Sequence, residues 1–288
     1  GSAYDSTGCE WVDGLLGGGI KPGRYLCLAA LPKMGKTKLA LTVVSHLMKS
    51  EGYAADVWYT DGPTNDCINQ FVAHESGVRI PKINNPSRLE EREHRQIFEA
   101  QATLRENCNF RIFPRGMPRL REIEAQTRAR NRETDRLVLV VDYIQNVQAG
   151  HSGEAAQFRN TTDVTRKLAT LATDLEILVI GLSQFNRGAA QKAMPKPSDL
   201  RNSGQVEQDV NHLLIWHRPS IRDEKADPAD DAEGALWHAL SKHSDTGVEK
   251  VFCDLGSNQF YSEDEWQQVE RGRRQQRGLY PFNRGSRR

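Results

Sequence analysis

The sequence predicts an α/β fold with a mainly parallel central sheet, helices on both faces and an antiparallel extension at one edge. Short apolar segments alternate with helix-length segments along most of the chain, as parallel strands with crossover helices require. The runs Leu137–Val141 and Ile177–Ile180 are apolar throughout, which is typical of central strands buried on both faces. The last strand-like segments follow one another without helices, which predicts the antiparallel extension.

Each element is predicted from its apolar pattern and the turn residues at its ends. The predicted strands are Tyr25–Ala30, Ala55–Thr60, Asn109–Phe113, Leu137–Asp142, Ile177–Ser183, His212–His217, Ala235–Lys242, Val248–Asp254 and Gln259–Tyr261. The predicted helices are Lys36–Lys49, Thr64–Ser76, Ser87–Glu106, Arg119–Asn131 and Gly153–Thr173. The polar segment Arg218–Gly234 is predicted to be a surface loop. We expect one domain at 7–265, a linker or expression remnant at 1–6, and a basic, flexible tail at 266–288.

Composition excludes several classes of protein. The chain has 288 residues, of which 38% are hydrophobic and 27% charged, as in ordinary globular proteins. No apolar stretch approaches the roughly 20 residues of a membrane helix. The five cysteines are scattered and odd in number, which predicts free thiols and a cytoplasmic location. The net charge is only +1, but the arginine-rich segment Arg271–Arg288 either holds phosphates or is a solvated terminus.

The segment after the first predicted strand has the composition of a phosphate-binding loop. A tight turn is followed by Gly35-Lys36-Thr37 at the start of a helix, although Ala30 replaces the usual first glycine. In such a loop, backbone N–H groups surround the phosphates, Lys36 neutralises their charge and the Thr37 hydroxyl reaches Mg²⁺. The residues expected to contact the nucleotide are Pro32, Lys33, Met34, Gly35, Lys36, Thr37 and Lys38.

Three further segments are suited to phosphate chemistry. Asp142 ends an apolar strand, where a carboxylate can hold Mg²⁺. Gln184 ends another strand, where a neutral amide can sense a γ-phosphate. The segment 196–209 mixes a lysine, an arginine, a glycine and amides just before a strand, which suits an oligoanion, although a helix cap and turn would have the same composition.

Together these motifs resemble the RecA-like ATPase domain of DnaB-type replicative helicases. The motifs, in order, are Gly17–Gly23, Pro32–Thr37, Val141–Gln145, Leu182–Arg187 and Ser198–Gly204, and the resemblance covers about residues 7–261. It implies a RecA-like P-loop ATPase with ATP and Mg²⁺ as cofactors, which unwinds or moves along single-stranded DNA in replication. It also implies a homo-oligomer, usually a hexameric ring, with ATP between neighbours, and partners such as a primase or loader.

The resemblance assigns roles to residues by position. Lys36 and Thr37 would bind phosphate and magnesium, Asp142 would support the metal, and Gln184 would sense the γ-phosphate. The positions assigned to DNA are Arg187, Arg201, Asn202 and Gly204, and the segment Gly150–Thr162, with His151 and Arg159, would be a second channel loop.

The sequence departs from the family pattern at three places. Asp61 stands where the family has a glutamate as general base, so its carboxylate is one methylene shorter. Lys242 matches the lysine of a Lys-x-Arg motif that reaches the neighbour's γ-phosphate, but Ser244 replaces the arginine, leaving Arg218, Arg222 or His243 as candidate substitutes. The family's N-terminal helical domain has no counterpart, as expected for an excised fragment or a short variant.

Two functions remain open at this point. The first is an ATP-driven translocating motor in which Asp61 orients the attacking water. The second is a slow regulatory or adaptor ATPase whose nucleotide state gates binding of DNA or a protein partner. Weak catalysis at Asp61 and Ser244 would suit the second.

Overall fold

The computed structural model describes residues 4–114, 116–153, 155–185, 188–189, 194–200, 203–219 and 232–279. Within these ranges, nine strands form one sheet in the order β3-β2-β4-β5-β1-β6-β7-β8-β9. β1 to β6 pair in parallel, and β7, β8 and β9 extend the sheet with antiparallel pairs. The predicted fold class is confirmed. The strands are β1 Tyr25–Ala30, β2 Ala54–Tyr59, β3 Asn109–Phe113, β4 Leu137–Asp142, β5 Leu178–Gln184, β6 His212–His217, β7 Glu233–Ser241, β8 Gly247–Asp254 and β9 Gln259–Tyr261.

The helices largely follow the prediction, with additions. They are α1 Glu10–Leu15, α2 Lys36–Ser50, α3 Thr64–Ser76, α4 Ile80–Ile83, α5 Glu91–Asn107, α6 Leu120–Asn131, α7 Ala156–Leu175, α8 Ser203–Asp209 and α9 Glu263–Leu279. The predicted helix Ser87–Glu106 is divided into a 3₁₀ turn, Pro86–Arg88, and α5. The division occurs because Glu90 is extended and caps α5, with its N–H donating to Glu93 Oε2 at 2.9 Å.

The core of the domain lies around the central strands. Every residue of β1, β2 and β4 is buried, so both faces of these strands are covered. Helices α2 and α7 contact β1 and β5 and supply much of that cover. Because the core holds the centre of the sheet rigid, the loops at the strand ends are held in fixed positions relative to one another.

The end of the described chain differs from the prediction. Residues 266–279 belong to helix α9 rather than to a flexible tail, and residues 280–288 lie outside the described part. Trp266 stacks on Phe252 of β8, with ring centroids 5.6 Å apart. Arg273 Nη2 donates to Asp254 Oδ2 at 2.8 Å. An aromatic stack and an ion pair therefore dock α9 on the antiparallel extension.

Two further predictions concern loops and membranes. The predicted surface loop Arg218–Gly234 lies mainly outside the described residues, which stop at 219 and resume at 232. None of the helices in the described ranges has both the length and the apolar character needed to cross a membrane.

Candidate functional site

The carboxyl ends of four adjacent parallel strands lie at one edge of the sheet. The pairing register places Ala30 of β1 beside Gln184 of β5, and Asp142 of β4 beside both Tyr59 of β2 and Leu182 of β5. The phosphate loop, Asp61, Asp142 and Gln184 therefore leave the sheet from neighbouring strand ends. The sheet brings together four segments that are far apart in the sequence.

The phosphate loop has the backbone conformation that a tight turn before α2 requires. Lys33 and Gly35 have positive φ angles of 65° and 93°. A side chain at Gly35 would also place its Cβ 2.8 Å from Leu255 Cδ2, so glycine is required there for two reasons. Met34 is buried, and its carbonyl accepts a hydrogen bond from Trp216 Nε1 at 2.7 Å. The carbonyl of Met34 therefore fixes the loop, and its buried side chain belongs to the core.

The residues that the sequence predicts to contact the nucleotide differ in their exposure and in their contacts. Pro32 and Lys33 are exposed. Lys38 instead directs its ammonium group to the carbonyl of Leu255 in the turn between β8 and β9. Burial is the main cause that lowers the pKa of Lys38. This contact ties the first turn of α2 to the antiparallel extension.

Lys36, Thr37 and Asp142 form a compact group, in which Lys36 and Asp142 are buried. The Thr37 hydroxyl donates to Asp142 Oδ2 at 2.6 Å, and Lys36 Nζ lies 3.3 Å from Asp142 Oδ1. Asp142 is only 1% exposed, and within the described part of the chain its Oδ1 makes no hydrogen bond. Hydroxyl and carboxylate oxygens are the ligands that Mg²⁺ prefers, so Thr37 and Asp142 fit a magnesium ion shared with a nucleotide.

Thr60 joins the ends of β2 and β4, and the sequence did not mark it out. Its N–H and its hydroxyl both donate to the carbonyl of Asp142, at 2.7 and 2.8 Å. Asn146 Nδ2 in turn donates to Thr60 Oγ1 at 2.9 Å. The next residue, exposed Asp61, is therefore held beside the Asp142 strand end. The sequence did hold a signal for this role, because Thr60 is a hydroxyl residue at a strand end and the candidate base Asp61 follows it.

Gln145 is a second positioning residue that the sequence did not assign. It is buried, and its Nε2 donates to Ser183 Oγ at 2.8 Å and to the carbonyl of Gln184 at 3.3 Å. Its Oε1 accepts from the N–H of Gln184 at 3.4 Å. These bonds connect the segment after β4 to the end of β5, where the half-buried side chain of Gln184 lies.

Comparison with known proteins places this arrangement in a family. The family described as DnaB-like helicase C terminal domain matches residues 6–258. The chain belongs to this family. A solved DnaB-like replicative helicase, described together with its interactions with primase, superposes with a TM-score of 0.80 at 22% identity, covering 89% of this chain and 61% of that one. This likeness concerns the fold, which is that of the RecA-like ATPase domain.

Curated relatives of this DnaB-like chain are helicases. A probable plasmid replicative DNA helicase of Chlamydia trachomatis serovar L2 is 30% identical over 201 residues, and the replicative DNA helicase DnaB of Haemophilus influenzae is 27% identical over 220 residues. These matches cover 69% and 75% of this chain, but 44% and 46% of the relatives. The chain therefore spans less than half the length of these relatives.

The residues that the DnaB resemblance assigns to DNA are only partly described. Arg187, Arg201 and Asn202 lie outside the described residues. Gly204 is exposed in the first turn of α8, so the segment expected to be a loop is helical from Ser203 onward. Among the described residues, a Cβ at Gly204 would meet no atom within 4 Å, so packing against this part of the chain does not require glycine there.

Lys242 lies at the edge of the sheet opposite the phosphate loop. β7 is antiparallel to β6, and its last residue, Ser241, pairs with His212 at the start of β6. The sheet therefore separates Lys242 from Lys36 of its own chain, and the assignment of Lys242 to the nucleotide of a neighbouring subunit stays a prediction. Lys242 Nζ donates to the carbonyl of Gln208 at 2.5 Å.

Arg24, which the sequence did not single out, lies beside the position of the missing arginine. Its guanidinium contacts His243 Nε2, one residue before Ser244. Of the candidate substitutes, Arg218 follows β6 at the phosphate-loop edge and is 4% exposed, while Arg222 is outside the described residues. Arg24 and His243 are therefore the basic groups that the structure places together at the Lys242 edge.

A pair of buried histidines at this edge predicts a pH dependence of stability. His212 Nδ1 lies 3.2 Å from His238 Nε2, and burial, followed by His238, His243 and Arg24, lowers the pKa of His212 from 6.5 to about 4. Between these values only the unfolded chain binds the proton at His212. The free energy of unfolding should therefore fall as pH drops below 6.5, by up to about 1.4 kcal/mol per pH unit.

Urea unfolding at about pH 7.5 and about pH 5 checks this expectation. His212→Gln should lose about 1–2 kcal/mol of the pH dependence, since glutamine carries no titrating group. His94→Gln, at an exposed position of α5, is the matched control and should leave the pH dependence as it is. An equal pH dependence in His212→Gln and in the unchanged chain would contradict the assignment.

Proposed function

We propose that this chain is the ATP-hydrolysing motor domain of a replicative DNA helicase that moves along single-stranded DNA. The observation that carries the proposal is the compact group of Lys36, Thr37 and Asp142 at the carboxyl edge of the sheet. Asp61 and Gln184 leave the sheet from strand ends beside it. Family membership from residue 6 to residue 258 supports the same function.

In this proposal, each residue of the site has its own role in ATP binding and hydrolysis. The N–H groups at the start of α2 and the Lys36 ammonium would hold the β- and γ-phosphates. Thr37 and Asp142 would hold Mg²⁺, which when bound neutralises charge on the transferred phosphoryl group. Asp61 would orient the attacking water. Gln184 would sense the γ-phosphate, and its contacts with Gln145 would pass the loss of that phosphate to the segment after β4.

A homo-oligomeric ring, proposed to be a hexamer, would place the two edges of the sheet against each other in neighbouring subunits. The phosphate loop lies at one edge, and Lys242, Arg24 and His243 lie at the other. A head-to-tail interface brings unlike surfaces together, and it generates a ring where the rotation between subunits closes. Each nucleotide would then receive Lys242 from the neighbouring subunit, with Arg24 or His243 in place of the arginine that Ser244 replaces.

Partners and location belong to the same proposal. Single-stranded DNA is the proposed substrate, and a primase, a loader or another replication protein is a proposed partner. Primase interactions are described for the solved DnaB-like helicase. All five cysteines are free thiols, four of them buried, which supports the cytoplasmic location proposed from the sequence. The regulatory or adaptor alternative is not favoured, because the relatives are helicases.

ATP hydrolysis at increasing protein concentration, with and without single-stranded DNA, tests the proposal. Turnover per chain should rise with concentration, because the active sites would be completed by a neighbour, and should rise further with DNA. Lys242→Ala should remove the dependence on concentration without affecting nucleotide binding by the isolated chain. Slow turnover that neither concentration nor DNA changes would contradict the motor and favour a regulatory ATPase.

A further inference from the structure

A groove of about 580 Å³ lies between the start of α6 and the segment that follows β4. Two backbone hydrogen bonds join its walls, from Leu120 N–H to the Gln148 carbonyl at 2.8 Å and from Gln148 N–H to the Pro118 carbonyl at 2.9 Å. Lys167 of α7 also lines it. Because α6 and this segment follow the carboxyl ends of β3 and β4, the groove opens at the same sheet edge as the nucleotide site.

The groove is positively charged. Arg119 and Arg121 line it, are exposed, and form no ion pair within the described residues. Glu124 is the acid that lines the groove, and it is shared by Lys167 at 3.1 Å and Arg128 at 3.0 Å. The exposed Glu122 follows Arg121, and Asp163 of α7 pairs with His151 at 2.6 Å, next to Gly150. Of the residues that line the groove, three are cations and one is an acid, although the whole chain carries a net charge of only +1.

The walls of the groove continue into two other parts of the molecule. Asn160 of α7 accepts hydrogen bonds from the N–H groups of Ala149 and His151, at 2.9 and 3.2 Å, so the groove wall is tied to α7. In the other direction, Gln148 follows the 3₁₀ turn that contains Asn146, which holds Thr60 beside Asp142. An anion bound in the groove would therefore contact a segment that is connected to the end of β4.

We propose that this groove binds the phosphodiester backbone of single-stranded DNA, with Arg119 and Arg121 as the phosphate contacts. This inference rests on the proposed function and adds a binding site to it. Arginine suits the role because its planar guanidinium can donate two parallel hydrogen bonds to one phosphate. A local basic surface on a nearly neutral chain is the electrostatic footprint that backbone binding requires.

The test is the salt dependence of binding to a fluorescent oligo-deoxythymidine. Each phosphate contact on a single strand contributes about 0.7 to the slope of log affinity against log salt, so the double variant R119A/R121A should lower the slope by about 1.4. The variant R119K/R121K keeps both charges and should retain most of the slope, which excludes a folding defect as the cause.

The matched control is R88A/R92A, which removes two exposed arginines outside the groove and changes the net charge equally. It should bind as the unchanged chain does. If R119A/R121A behaves like R88A/R92A while the unchanged chain binds DNA, the groove assignment is overturned and the proposed function stands. If the unchanged chain does not bind the strand at any salt concentration, both are overturned.

Discussion

Replacing Lys36 with alanine should lower ATP turnover by at least about 100- to 1000-fold, because a cation placed on the developing phosphate charge is lost. Stability should fall as well. Lys36 pairs with Asp142, which is 1% exposed, and removing one partner of a buried pair costs about 3–5 kcal/mol. Steady-state hydrolysis and urea unfolding measure the two effects separately.

A double variant separates catalysis from stability at this position. Lys36→Ala combined with Asp142→Asn removes both charges, so it should recover most of the lost stability and remain inactive. Lys49→Ala is the charge control, since Lys49 lies in the last turn of the same helix and pairs with Glu75 at 2.7 Å. Wild-type turnover in a folded Lys36→Ala variant would show that the phosphate loop lies elsewhere.

Replacing Asp61 with asparagine should lower turnover by about 100- to 10,000-fold, the usual contribution of a general base. The residue is exposed, and Thr60 holds it beside the end of β4 through two hydrogen bonds to the Asp142 carbonyl. Asp61→Glu should instead raise ATP turnover. The longer side chain moves the carboxylate toward the position that the family uses, and a gain of up to about 100-fold is expected.

The turnover of these variants is compared at saturating ATP, so that the comparison reports the chemical step rather than ATP binding. Asp66→Asn, on the exposed side of α3 close to Gly62, removes the same charge and should leave turnover unchanged. If Asp61→Asn and Asp66→Asn have the same turnover, Asp61 is not the base. If both Asp61→Asn and Asp61→Glu lower turnover, Asp61 is the base and the site requires the shorter side chain of aspartate.

Local patterns predicted much of the nucleotide site. The apolar run that ends at Asp142 and the turn before Lys36 both have short-range signatures, because strand burial and the conformation of the loop depend on residues close in sequence. The predicted strands were confirmed, some of them with ends shifted by one or two residues. Thr60 and Gln145 were not predicted as positioning residues, since their importance comes from hydrogen bonds to distant strands.

The sequence was less informative where contacts are long-range. It predicted a flexible tail from residue 266, because arginine-rich segments resemble solvated termini, yet Trp266 and Arg273 dock α9 on β8. It also predicted that Lys242 reaches the nucleotide of a neighbouring subunit, but not where the fold places this residue. The antiparallel direction of β7 places Lys242 at the opposite edge, and strand direction is decided by pairing rather than by local composition.

The sequence by itself determined the α/β class, the phosphate loop and the residue types of the site, because apolar periodicity and short motifs encode local structure. The tertiary structure alone decided which strand ends meet, which edge Lys242 occupies, and that Arg119 and Arg121 line one groove with Lys167. The physical reason is that the order of strands in a sheet is set by burial and pairing between segments far apart in the chain. Function at this site depends on that order.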